Sequence, residues 1–231
     1  MICSIVNSKG GTGKSTLAGN LAGWLARQGH RVILADCDPQ QSSSEWIREA
    51  APAIEVVRMS SADEVLDGLP SLREEADYVI ADGPGSQTET SRALLMWADL
   101  AIVPAKASMF EARSLEKNTS FIRQAQAIRK GLPEAVAVLS MVGRSFRLTK
   151  DMREAAKVLN LNVANTAVTL RQAYADSPGQ GKLIFEMPFA ARDAAEELNR
   201  LFGELFPDAV NNSVPLIAAG RGRRRQNSNV K

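Results

Sequence analysis

Between Lys9 and Thr16 the chain carries two lysines and three glycines in the string KGGTGKST, directly after the β-branched run ICSIVN. Glycine at such density costs backbone entropy, and two ammonium groups this close repel unless an anion lies near them. An anion would answer both. Glycines let main-chain N–H groups close around it without Cβ clashes, and a helix starting immediately afterwards adds partial positive charge. Strand, glycine-rich turn and helix in succession form the setting of a phosphate-binding loop. In that reading Gly10, Gly11, Thr12 and Gly13 present main-chain donors and Lys14 reaches β- and γ-phosphates. Ser15 sets its hydroxyl on Mg²⁺, and Thr16 bonds a neighbouring phosphate oxygen. The alternative is an ordinary glycine turn capping a helix; GTGKST in this setting speaks against it.

Carboxylates follow. RVILADCDPQQ ends a second strand-like run with Asp36 and Asp38. Residues two apart on a strand point the same way, and the carboxyl ends of strands form the ligand crevice of an open α/β sheet. Two carboxylates there repel unless Mg²⁺ or an activated water sits nearby. The alternative is a turn in which an aspartate caps a helix expected over 42–50. DYVIADGPGS puts Asp82 at the end of another apolar run, before Gly83. A carboxylate there can hold Mg²⁺ through water, and Gly83 lets the main chain approach a γ-phosphate. An Asp-Gly strand end is weak alone and strong downstream of a phosphate loop.

The elements that must position these residues alternate. Strand-like runs ICSIVN, RVILAD, IEVVRM, DYVIAD, DLAIVPA and AVAVLSMV are interleaved with helical patterns, with NVANTAVT near the end. Leu17, Leu21 and Leu25 recur at helical spacing, with Gly29 as the expected cap. SSSEWIREA reads as a short capped helix. Residues 62–76 read as helical with an interruption near Gly68 and Pro70. Further helices are expected through Leu94 to Met96 and over 111–130, 150–159 and 190–205. Such alternation with short connections predicts an α/β fold: a doubly wound, mostly parallel sheet flanked by helices.

The bulk numbers agree. At 231 residues the chain fits one α/β domain; hydrophobic residues make up 45% and aromatics only 5%, giving the aliphatic core of a covered parallel sheet. Cys3 and Cys37 lie in strand-like runs without metal-ligand spacing and read as reduced core residues of a cytosolic protein. No signal peptide is expected, since a strand begins at the first residue and Lys9 follows too soon, and no run approaches membrane-spanning length. The net charge of +2 hides an asymmetry. Residues 209–231 hold Arg221, Arg223, Arg224, Arg225 and Lys231 and no acid; the remaining 23 basic residues face 26 acids. The expected division is therefore a slightly acidic phosphate-loop domain over 1–207 and a basic, disordered tail over 208–231.

The usual loop pattern, G-x-x-x-x-G-K-[ST], requires glycine where Ser8 stands. KGGTGKST instead resembles the deviant Walker A loop of the ParA/MinD group of ATPases. The resemblance spans roughly residues 1–205 and is specific at 9–16, 36–40 and 82–85. With NSKGG and ADGPGS it looks closest to small plasmid-partition ATPases without an N-terminal helix-turn-helix. It implies ATP and Mg²⁺ as ligands and an ATP-dependent homodimer in which Lys9 reaches the partner's phosphates, stabilising transferred charge like an arginine finger. By the D-x-D-P-Q match it puts Asp36 near the metal, makes Asp38 the residue that positions the attacking water, and assigns Pro39 and Gln40 to a switch segment. DYVIADG looks like a Walker B strand, with Asp82 on Mg²⁺ and Gly83 sensing the γ-phosphate. LAIVPAKAS, with Pro104, matches a second switch, and VTLRQAYADSPGQGKLI resembles a late loop beside the adenine base.

Such ATPases hydrolyse ATP weakly until a ParB-like adaptor stimulates them, and as dimers they bind DNA without sequence preference. The resemblance thus implies a cytoplasmic, nucleoid-associated protein that segregates a plasmid or positions an assembly such as a chemoreceptor cluster or carboxysome. Basic candidates for DNA are Arg144, Arg147, Lys150 and Arg153; Arg113, Lys117, Arg123, Arg129 and Lys130; Arg171 and Lys182; and the tail arginines. MinD-like membrane positioning needs a C-terminal amphipathic helix. SVPLIAAGRGRRR has too few apolar residues for one, and Pro215 and Gly220 break helices. A nitrogenase-type iron protein needs cluster cysteines that Cys3 and Cys37 do not provide. A tyrosine-kinase relative needs a tyrosine-rich tail, and only Tyr78 and Tyr174 exist.

Overall fold

The computed structural model describes residues 1–86, 88–106, 109–143 and 146–210, with the side chains of 109–114 and 146–149 left out. Seven strands form one sheet: β1 (Ile2–Ile5), β2 (Val32–Asp36), β3 (Glu55–Arg58), β4 (Tyr78–Asp82), β5 (Leu100–Lys106), β6 (Glu134–Ser140) and β7 (Asn162–Val163). Their spatial order is β3-β2-β4-β1-β5-β6-β7, and every pairing between them is parallel. The helices are α1 (Lys14–Arg27), α2 (Ser42–Ala50), α3 (Ala62–Glu75), α4 (Glu89–Trp97), α5 (Met109–Ile128), α6 (Phe146–Val158), α7 (Gln172–Gly179) and α8 (Arg192–Leu205).

Alternation along the strands sorts side chains into two cores. Cys3, Ile5 and Leu34 meet α1, α2 and α8 through Leu21, Trp46 and Phe202. Ile2, Ile33 and Val79 meet α3 to α6 through Leu69, Leu94, Ile122 and Met152. Both faces are covered, as parallel sheets require. Cys3 and Cys37 are buried and unpaired with one another. Burial, reinforced by nearby carboxylates, pushes both thiols up, away from reactive thiolate.

Three local expectations change. First, α3 runs without interruption through Gly68 and Pro70. Proline costs about 3 kcal/mol inside a helix, but burying Val65, Leu69 and Leu72 returns about 1.5–3 kcal/mol each. A Cβ at Gly68 would come within 2.7 Å of Met59 Cε, the movable end of a flexible side chain. Second, the stretch read as a late loop contains α7. NVANTAVT contributes two strand residues and one bridge, Val142 to Thr169. Third, the folded body runs past residue 207. A 3₁₀ turn over Pro207–Ala209 buries Ala209, whose carbonyl lies 3.0 Å from His30 Nε2. The tail from 211, including Pro215, Gly220 and its arginines, lies outside the described residues.

Candidate nucleotide site

The central strands put the site at their carboxyl ends. Ile5 stands in register with Asp82 on one side of β4, and Asp36 stands in register with Asp82 on the other. From β1 the chain enters the glycine loop. Gly11 and Gly13 take left-handed φ values of 68° and 92°, which side-chain-bearing residues rarely adopt. Gly13 caps α1, and no side chain caps that helix, so its first-turn N–H groups face an open cleft. The cleft measures about 560 Å³. The loop lines it with Gly10, Gly11, Gly13, Lys14, Ser15 and Thr16, and the opposite wall carries Asp38, Gln40 and Gly85. A Cβ added at Gly10 would meet nothing within 4 Å. The protein's own packing therefore does not demand glycine there, whereas close approach of a ligand would.

Lys14 is buried, with Nζ donating to Lys9 O at 3.1 Å. Burial pushes its ammonium down from the usual lysine range, and Asp82 and Asp38 pull it back up. Thr12 is fully buried. Its hydroxyl points at Lys9 O, 3.5 Å away, and its carbonyl accepts from Ser140 Oγ at 2.8 Å, so only its main-chain N–H can serve an anion. Lys9 is half-buried and does not line its own cleft.

The two early aspartates do not act as a pair on one strand. β2 ends at Asp36, and the chain turns so that Asp38 N–H donates to Asp36 Oδ1 at 3.1 Å. Asp36 Oδ2 accepts from Ser44 N–H at 2.7 Å, which supplies the cap that α2 lacks locally: Gln41 stands at the N-cap without a side-chain bond. Asp36 is thus buried outside the cleft lining, with both carboxylate oxygens engaged by the turn that leads into α2. Asp38 does face the cleft. Its Oδ1 accepts from Gln40 N–H at 2.9 Å, leaving its other oxygen outward.

Asp82 is fully buried, and neither carboxylate oxygen accepts a hydrogen bond of good geometry, although the Ser15 and Ser43 hydroxyls lie close to it. Burial raises its pKa to about 7. The Ser15 and Ser43 hydroxyls and the Lys14 ammonium pull the other way, and Asp36 adds to the rise. An orphaned buried carboxylate is costly. The carboxylate and the neighbouring Ser15 hydroxyl are oxygen donors that a hydrated divalent cation would satisfy, so Mg²⁺ fits these residues. Gly83 is tightly packed: its N–H donates to Ile5 O at 3.0 Å, and a Cβ would meet that oxygen at the same distance. It does not line the cleft. Gly85 does, and its Cβ would come within 3.2 Å of Gly10 Cα and 3.4 Å of Lys14 Nζ. The second glycine of DGPG was the available signal.

Beside the loop lies an apolar cavity of about 270 Å³. It shares Gly13, Thr16 and Met141 with the cleft and is closed by Val168, Leu170 and Tyr174. A flat apolar ring attached to a phosphate chain fits this neighbour. Lys106, at the end of β5, brings a third ammonium near the loop, 3.7 Å from where a Gly11 Cβ would stand.

The DNA candidates divide. Arg123 donates to Leu159 O at 2.7 Å, Arg129 to Ala98 O, and Arg153 to Ala164 O and Asn165 O at 3.1 and 2.9 Å. Arg171 pairs with Asp193 and Glu197, and Lys150 with Glu154. These bonds give the arginines internal tasks. Lys117, Lys130 and Lys182 are exposed. Arg144, the side chains of Arg113 and Arg147, and the tail arginines lie outside the described residues.

Residues 3–184 match the CobQ/CobB/MinD/ParA nucleotide binding domain, and the chain belongs to that family of ParA/MinD-type ATPases. It is 28% identical over 211 residues to the maintenance of carboxysome distribution protein A of Halothiobacillus neapolitanus, covering 88% of this chain and 95% of that one. It is 26% identical over 216 residues to the chromosome-partitioning ATPase Soj of Thermus thermophilus, covering 78% and 86%. Its fold matches the ATP complex of a McdA variant from Cyanothece with a TM-score of 0.74 at 18% identity, covering 88% and 95%.

Proposed function

We propose that the chain is an ATP hydrolase that pairs with a second copy when ATP binds, holds DNA without sequence preference in that state, and lets go after hydrolysis. The observation that carries this reading is the cleft itself: an uncapped helix N-terminus, Lys14 and Asp38 line it, with the buried Asp82 carboxylate close enough behind to act on the Lys14 ammonium. The α1 amides and Lys14 would bind and orient the β- and γ-phosphates, with the base in the cavity beside Met141. Mg²⁺, held by Ser15 and through water by Asp82, would supply charge neutralisation at the phosphates. Asp38, on the opposite wall, would hold the attacking water, and Lys9 would reach the partner's phosphates rather than its own. Basal turnover is expected to be slow and to rise with a ParB-like adaptor.

The cargo we favour is a plasmid, which makes the protein cytoplasmic and nucleoid-associated. No described helix is long and apolar enough to cross a membrane. A second reading, positioning of a protein assembly, draws support from the near full-length match to a carboxysome distribution protein. The folded domain and basic tail remain the proposed division of labour. A DNA mobility-shift assay with ATP, with ADP and with neither tests the proposal: a shift that needs ATP and vanishes in Lys14→Ala is expected. ATP-independent binding, or retained nucleotide affinity in Lys14→Ala, would overturn it.

A further inference from the structure

Asn118 lies in the middle of α5, buried and outside the cleft lining. Its Oδ1 accepts from Ser8 N–H at 3.0 Å. Its Nδ2 donates to Asn7 Oδ1 at 3.0 Å, and the same Asn7 oxygen accepts from Lys9 N–H, also at 3.0 Å. Asn7 Nδ2 in turn donates to Pro104 O at 2.6 Å. The two main-chain donors fix which end of each carboxamide is oxygen, so the network has one arrangement. The N–H groups of Ser8 and Lys9 point inward, and Lys9 O is left to receive Lys14 Nζ and the Thr12 hydroxyl.

We propose that Asn118 is a positioning residue for Lys9: through Asn7 it sets the main-chain direction from which the Lys9 side chain departs, and so ties α5 to the pairing of two copies. The inference rests on the reading of Lys9 as a cross-dimer lysine. Only a side chain with donor and acceptor on one short stem can serve Ser8 N–H and Asn7 Oδ1 at once. Neither asparagine touches the cleft. The pair instead occupies the first step of the loop, where Ser8 stands in place of the usual glycine and Lys9 follows it.

The test uses the full chain, a slowly hydrolysed ATP analogue, pairing read by light scattering and nucleotide affinity read by fluorescence titration. Asn118→Ala is expected to weaken pairing at least tenfold more than it weakens nucleotide affinity. The double variant Lys9→Ala/Asn118→Ala should pair no worse than Lys9→Ala alone, because both changes act on one interaction. Asn118→Gln keeps both the donor and the acceptor, on a stem one methylene longer. It should fall between wild type and Asn118→Ala in pairing, and it decides the matter if Asn118→Ala fails to fold. Wild-type pairing in the Asn118 variants, or additive losses in the double variant, overturns this inference alone. Wild-type pairing in Lys9→Ala overturns the cross-dimer reading and this inference with it.

Discussion

At the scale of single residues, the site depends on where a side chain is missing as much as on where one is charged. Gly85 faces Gly10 across the mouth of the cleft, and a methyl group there would press on a main chain that cannot swing aside, as well as on the Lys14 ammonium. Gly85→Ala is therefore expected to lower nucleotide affinity about tenfold, roughly 1.4 kcal/mol, with little change in melting temperature. Nucleotide titration beside thermal unfolding checks both halves. The lysine, serine and glycines of the loop were legible in the sequence because a phosphate loop is a local pattern: one strand, one turn, one helix start. Asp36 was not. Its acidity was visible, but its partner Ser44 N–H is brought to it only by the turn at Gln41, which has φ of 55° and no glycine to announce it. Asn7 and Asn118 were silent for the same reason: 111 residues separate the two ends of their hydrogen bond.

At the scale of elements, periodicity located all seven strands, overrunning the short β7, and most helices, since burial on one or both faces writes itself into residue alternation. It failed where short segments are held by side chains rather than by period. The loop between β7 and α7 is an instance. Glu204 of α8 accepts from Asn165 N–H at 2.5 Å and from Thr166 N–H at 2.9 Å, clamping that loop from the opposite side. Burial alone would raise the Glu204 carboxyl; these amide bonds outweigh it and hold the group below its ordinary value of 4.5. A depressed carboxylate contributes stability that is present above the ordinary value and is lost as pH falls through the depressed one. Glu204→Gln is thus expected to cost about 1 kcal/mol at neutral pH and to flatten the loss of stability below pH 4.5. Denaturant unfolding at several pH values, read for both proteins, measures the difference.

At the scale of the whole molecule, charge is divided between a slightly acidic body and a tail carrying five cations and no acid. Several arginines of the body hold the fold together, which shifts the weight of any DNA binding toward the exposed lysines and the tail. Removing residues 211–231 is expected to weaken ATP-dependent DNA binding and to reduce the slope of log affinity against log salt. That slope should fall by about 0.9 for every phosphate the tail neutralises, so a tail that uses most of its cations would account for roughly 3–4. An unchanged slope would assign DNA binding to the folded surface.

The strand order carries one more consequence. β1 sits at the centre, and the cleft gathers its walls from tips whose residues lie near positions 10, 38, 85 and 141. No contiguous fragment holds more than part of the binding surface. A bound nucleotide would therefore act as a fastener across the entire sheet, and saturating it should slow proteolytic cutting everywhere in the body rather than near the loop alone.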